Sequence, residues 1–301
     1  MPNEIDRRDF LKLATLTGVG AVFLHNYRPA LAASTAPAKP FYFIQISDTH
    51  WGFEGAKVNP DGKGTLIKAV HEINQLPHKP DFIVFTGDLT HTTDDTAIRK
   101  KRMSEFRSIV NDLDCKTLHF MPGENDASLD NGETYKDFFG ATHYTFDHKG
   151  THFIAIDNVS SPDGTIGEAQ LDWLATDLRT QPKDTPIIIL THRPLFDLYP
   201  QWDWATRDGS KAIDLLMPHP NVTVFYGHIH QLHHHQTGHI NHHAATSLMM
   251  PFPAAGTTPK RAPFPWSDTE PYKGLGFRNI DYKPHAAPTL TEYGINKEAT
   301  I

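Results

Sequence analysis

Thiol chemistry is nearly absent from this chain: Cys115 is its single cysteine, so no internal disulfide can form. Cys115 follows Asp114 with no neighbouring histidine to activate it, and is expected to pack rather than react. Basic runs are also missing. Lys and Arg number 28 against 35 Asp and Glu, a formal net charge of -7. That balance argues against a binder of nucleic-acid polymers or anionic membranes, which would show clustered cations. No apolar stretch reaches the roughly 20 residues of a membrane-spanning helix, and no internal repeat is visible. What remains is an acidic chain held by its core, with 20 histidines.

The first residues have the pattern of an address. Asp6-Arg7-Arg8-Asp9-Phe10-Leu11-Lys12 precedes an apolar stretch from Leu13 to Leu24, and Ala30-Leu31-Ala32 offers a small-residue cleavage site. This is the form of a twin-arginine export signal over residues 1–32, with a retained anchor as the alternative. The expected location is the periplasm or the medium, reached through the twin-arginine machinery. Removing 1–32 takes away four basic and three acidic residues, moving the formal charge from -7 to -8. Residues 33–40 form a small, proline-containing linker. The remaining 41–301, 261 residues, suits one large domain.

From residue 41 onward the punctuation is regular. Apolar runs at Phe41–Ile46, Phe82–Phe85, Leu118–Met121, Phe153–Ile156, Ile187–Leu190 and Val222–Tyr226 have the look of strands buried on both faces. Helix-like segments lie between them at 66–76, 96–113, 168–178 and 211–217. In the second, Ile98, Phe106, Ile109, Val110 and Leu113 recur at helical spacing; in the third, Leu171, Leu174 and Leu178 do so. Residues 134–139 with 145–147 and 153–156 suggest a helix and hairpin that supply core. Alternating strands and helices predict an α/β domain whose ligands sit at the carboxyl ends of its strands. After Gly227 the spacing shortens: 231–236 and 240–245, split by Thr237-Gly238-His239, suggest a hairpin, and dense prolines over about 251–271 suggest an irregular covering segment.

Where the apolar runs stop, metal-ligand residue types begin. Asp48 and His50, Asp88, Glu124, His192, and His228 with His230 occupy five such points. Carboxylate oxygens with neutral imidazoles suit Mn, Fe or Zn, and two such ions about 3.5 to 4 Å apart can hold a shared, activated water. Gly87, Gly123 and Gly227 each directly precede a candidate ligand, as expected if the chain must take positive φ to turn sharply there.

Asp48-Thr49-His50, Gly87-Asp88, Gly123-Glu124-Asn125-Asp126, Thr191-His192 and Gly227-His228-Ile229-His230 occur in that order. Together they resemble the calcineurin-like metallophosphoesterases from Phe41 to about Ser247. The resemblance implies a four-layer αββα sandwich of two mixed β-sheets flanked by helices. It also implies two divalent metal ions: Asp48, His50 and His230 on one, Glu124, His192 and His228 on the other, and Asp88 bridging. The implied activity is hydrolysis of a small-molecule phosphoester by a metal-bridging hydroxide, with phosphodiester cleavage, of cyclic nucleotides or similar esters, ahead of monoester cleavage. The sequence sets no oligomeric state.

The third motif departs from the family pattern. Glu124 stands where the family has an asparagine ligand, and Asn125 where it has a histidine able to protonate the leaving oxygen. An amide cannot replace that acid, whose help is worth roughly 10² to 10⁴ in rate. Either a hydrolase favouring good leaving groups results, with His91 or a water as acid, or a weakened relative kept for binding phosphorylated ligands. Arg193 is a candidate phosphate contact, or else pairs with a nearby acid. Trp202, in Tyr199-Pro200-Gln201-Trp202-Asp203-Trp204, is a candidate stacking wall, or else ordinary packing. The tract His233-His234-His235 with His239, His242 and His243 is a candidate extra metal site, or surface histidines of the hairpin.

Overall fold

The structure, a computed structural model, describes residues 37–295. The export-signal reading of 1–32 lies outside the described residues. Among the described residues, eleven strands form two sheets. In chain order they are β1 (Phe41–Ile46), β2 (Phe82–Thr86), β3 (Leu118–Met121), β4 (Tyr144–His148), β5 (Thr151–Ala155), β6 (Ile187–Leu190), β7 (Val222–Tyr226), β8 (His233–Thr237), β9 (Ile240–Ala244), β10 (Gly276–Tyr282) and β11 (Thr289–Gly294). The first sheet has the order β11-β10-β1-β2-β3 and the second β4-β5-β6-β7-β9-β8. Both are mixed: β1, β2 and β3 run parallel, as do β5, β6, β7 and β9, with antiparallel strands at the margins.

Alternation along each strand decides the layering. Phe43, Phe82 and Val84 of the first sheet meet Phe153, Ala155, Ile188, Leu190 and Phe225 of the second in one buried cluster. Their neighbours Ile44, Ile83 and Phe85 face the other way, onto helices α1 (Gly64–Asn74) and α2 (Thr96–Val110). Ile154, Ile187, Ile189 and Val224 likewise face α5 (Glu168–Thr180) and α6 (Gly209–Leu216). A period of two with apolar residues on both faces is what a sheet covered on both sides requires. The result is the expected helix-sheet-sheet-helix order. Two shorter helices, α3 (Glu124–Ala127) and α4 (Glu133–Phe139), follow β3.

Helix α2 corrects one detail. Asp95 caps it, accepting from the amides of Ala97 at 2.8 Å and Ile98 at 3.1 Å. Ile98, expected on the core face, is 43% exposed. Arg99 takes the inward position and pairs with Asp130 at 3.0 Å. Met103, Phe106 and Val110 complete the buried stripe. The expected hairpin is β8 and β9, paired antiparallel. Residues 251–275 carry no helix or strand. Strands β10 and β11, which extend the first sheet beside β1, have no counterpart in the sequence reading.

Candidate metal centre

All seven candidate ligands stand just past the carboxyl ends of parallel strands β1, β2, β3, β6 and β7. There the two sheets offer adjacent loops. Five of the seven hold left-handed backbone: φ is 53° at Asp48, 41° at His50, 50° at Asp88, 67° at His228 and 53° at His230. Residues with a Cβ adopt this region rarely and at a cost of order 1 kcal/mol each. Cross-loop hydrogen bonds hold them: the Asp48 amide donates to the Gly87 carbonyl at 3.0 Å and the His50 amide to the Asp88 carbonyl at 2.9 Å. The turning is thus done largely by the ligands themselves. Among the three glycines expected to supply it, only Gly87 has positive φ, at 93°. Gly123 is extended, with φ -103° and ψ 174°. What Gly123 and Gly227 supply is room, since a Cβ on the first would strike the Asp88 carboxylate and one on the second the Ser47 hydroxyl.

The donors gather in two groups, Asp48, His50, Asp88 and His230 in one and Glu124, His192 and His228 in the other. In the first, His50 Nε2 lies 3.2 Å from His230 Nε2, His230 Nε2 is 3.2 Å from Asp48 Oδ1, and His50 Nε2 is 3.5 Å from Asp88 Oδ2. In the second, Glu124 sits 2.9 Å from both His192 Nε2 and His228 Nδ1. Asp88 Oδ1 reaches to 3.7 Å from His192 Nε2, which places this carboxylate between the groups. Two ligands on one ion with bonds of about 2.1 Å stand roughly 3.0 to 3.4 Å apart in octahedral or tetrahedral geometry. Most of these spacings fall in or beside that window.

Tautomers are set from behind. His192 Nδ1 donates to the Thr86 carbonyl at 2.7 Å, His230 Nδ1 to the Met250 carbonyl at 2.7 Å, and His228 Nε2 to the Asp203 carbonyl at 2.9 Å. Each bond leaves the opposite nitrogen with its lone pair facing inward, the arrangement of ligating histidines. His192 Nε2, His228 Nδ1 and Glu124 Oε2 are buried there without an aligned hydrogen-bond partner. Electrostatics point the same way. Burial opposes charge on His192, yet the Asp88 and Glu124 carboxylates outweigh it and push its pKa well above the usual imidazole range. Burial would also raise Glu124, but His228 and His192 beside it hold its carboxyl well below the ordinary value. The cluster draws in positive charge, and the residues fit two divalent ions.

The other predicted residues fall around this core. Asn125 points its amide at Asp88: Nδ2 donates to Oδ2 at 2.7 Å and the backbone amide to Oδ1 at 2.9 Å, while Oδ1 of Asn125 accepts from the Thr92 amide at 3.1 Å. His91 lies edge-on to His50, with ring centroids 5.6 Å apart. Burial, then the Arg102 guanidinium, lowers its pKa, so near neutral pH this ring is not a charged proton donor. Arg193 is buried, and its guanidinium pairs with the Asp203 carboxylate at 2.9 and 2.8 Å, with Nε 3.9 Å from Glu124. Trp202 is buried in an aromatic cluster, edge-on to Trp204 and Tyr199. The hairpin histidines form stacks: His235 lies on Phe196 at 3.8 Å and His234 on His243 at 4.9 Å. They do not appear among the metal-capable groups of the described residues. Cys115 is buried, which raises its thiol pKa.

Three supports escaped the sequence. Asp126, quoted in the third motif without a role, accepts from the amides of Gly123, Leu89 and Thr90, each at 2.9 Å, and so ties the β2 and β3 loops together. Burial, then repulsion from Asp88, raises its pKa to about 7. Asp203 braces both His228 and Arg193, and the Met250 carbonyl braces His230. Asp126 could have been found from its motif position; backbone carbonyls leave no trace in residue type.

The chain belongs to the calcineurin-like phosphoesterase family, whose model matches residues 41–232. It is 28% identical over 210 residues, 64% of its own length, to the probable cyclic nucleotide phosphodiesterase of Rhodococcus erythropolis. It is also 28% identical over 178 residues, 52% of its length, to the mouse serine/threonine-protein phosphatase CPPED1. It spans 66% of the first relative and 57% of the second. The purple acid phosphatase PPD1 from yellow lupin shares the fold, with a TM-score of 0.63 at 13% identity, over 88% of this chain and 53% of that one.

Proposed function

We propose that this protein is a metal-dependent phosphoester hydrolase acting on small phosphodiesters. One observation carries the reading: seven buried or half-buried donors converge from five strand ends into two groups with Asp88 between them. Two ions held there would supply charge neutralisation on the phosphoryl oxygens and a water made nucleophilic near neutral pH. The chain's own part is orientation. Asn125 fixes the Asp88 carboxylate through two hydrogen bonds, and the carbonyls of Thr86, Asp203 and Met250 fix three imidazoles.

The amide at position 125 cannot protonate the leaving oxygen, and the lowered pKa of His91 makes its ring a poor proton donor. Esters whose leaving groups need no proton are therefore the favoured substrates. Both phosphodiesterases and phosphatases stand among the relatives; the missing acid favours activated diesters over alkyl monoesters. The test is turnover of bis(4-nitrophenyl) phosphate and 4-nitrophenyl phosphate with added manganese. Faster diester cleavage, lost in His192→Ala, supports the reading. Two bound metals without turnover of either ester would instead fit a ligand-binding relative, a role that the Asn125–Asp88 bond would serve equally well.

We further propose export by the twin-arginine route, supported by Arg7-Arg8 and the apolar stretch after them. Replacing both arginines by lysine should leave the protein in the cytoplasm on cell fractionation; unchanged export would refute this route.

A further inference from the structure

Beside the metal centre the covering segment is pinned to the ligand loops at successive points. The Met250 carbonyl accepts from His230, Gln231 Nε2 donates to the Pro253 carbonyl at 3.0 Å, and the Phe252 ring lies 4.4 Å from the His230 ring. The Arg261 guanidinium sits 5.7 Å over that Phe252 ring. Facing it across a cavity of about 390 Å³ is the turn Pro200–Asp203, with Pro259 and Lys260 completing the wall. Asp203 in this turn carries the carbonyl that orients His228. Two lining residues connect the cavity to the donors indirectly: Asp203 through its carbonyl to His228, and Arg261 through the Phe252 ring to His230.

Its charge balance is one-sided. The Asp203 carboxylate is taken up by the Arg193 fork, and Arg193 is thereby taken out of reach of a substrate anion. Lys260 and Arg261 are exposed, and among the described residues neither enters an ion pair. We propose that Lys260 and Arg261 form an anion-reading wall. It selects phosphodiesters that carry a second negative group, such as a further phosphate, at a distance from the bond cleaved; this rests on the hydrolase reading above. Arg261 supplies the planar donor fork suited to phosphate oxygens, held in place by its stacking on Phe252, and Lys260 adds a mobile point charge. A volume of a few hundred Å³ suits a small-molecule fragment.

The experiment compares two esters that differ by one phosphate: thymidine 5'-(4-nitrophenyl phosphate) and the same compound bearing a 3'-phosphate, with the metal-loaded full chain. The expected result is a KM about fivefold lower for the second at similar kcat, shrinking with added salt. In K260A/R261A the two esters should have equal KM. Calorimetry with thymidine 5'-monophosphate and thymidine 3',5'-bisphosphate reads the same preference without chemistry. Equal affinities in the wild type, or a preference that persists in K260A/R261A, would overturn the proposal. A bisphosphate preference without turnover of either ester would leave the wall standing and remove the hydrolase reading beneath it.

Discussion

Asn125 shows how one residue changes what a site can do. The amide occupies the place of an acid, yet its two hydrogen bonds to Asp88 make it part of the scaffold that aims the central carboxylate. Asn125→His should therefore act unevenly: turnover of esters with poor leaving groups rises by roughly tenfold or more, while activated aryl esters gain little. A plot of rate against leaving-group pKa checks this, and an unchanged slope would contradict it. Asp126 is the opposite case, a residue remote from substrate that holds the loops together. Its carboxylate satisfies three buried amides, so Asp126→Ala should lower stability by about 3 kcal/mol in denaturant unfolding. The ligand residues were legible because carboxylates and imidazoles rarely end apolar runs by chance. Their left-handed backbone was not, because no pattern of residue types announces positive φ at Asp48, His50, Asp88, His228 and His230.

Among the elements, the strands were the plainest. Phe41–Ile46, Leu118–Met121, Ile187–Leu190 and Val222–Tyr226 match their apolar runs end for end, since a strand covered on both faces is apolar nearly throughout, with Gln45, His119 and Thr223 as single interruptions. Strand β11 is largely exposed, with the pattern Thr-Leu-Thr-Glu-Tyr-Gly, and such an edge has no continuous apolar signature. The β8–β9 hairpin carries a cost of its own. His242 is fully buried with both ring nitrogens unpartnered, and burial, then His235 and His243, lowers its pKa to about 3. The unfolded chain protonates this ring near the ordinary value of about 6.5 while the folded chain does not. Stability is therefore intact above that value and declines as pH falls from about 6.5 toward 3, by up to about 1.4 kcal/mol per unit from this group. His242→Leu should flatten that part of the stability-against-pH curve; an unchanged curve would count against a neutral buried imidazole.

At the scale of the whole molecule, two sheets share an aromatic core and lend their strand ends to a common rim. Phe82 packs on Phe43 at 4.9 Å and edge-on to Phe153 at 5.3 Å, joining the sheets directly. Phe82→Ala should cost about 3 to 5 kcal/mol, read as a lower unfolding midpoint. The four-layer order came from the family resemblance, whereas β10 pairs with β1 across more than two hundred residues, a contact with no local signal, and β11 then adds to β10 at the sheet edge. Donors from both sheets are placed to hold a pair of divalent ions, and metal analysis of the tag-free chain checks whether they do. Two equivalents per chain are expected after loading with manganese or zinc, falling to about one or fewer in Asp88→Ala and unaffected by His242→Leu. One or no metal in the wild type, or two retained in Asp88→Ala, would contradict a two-ion site.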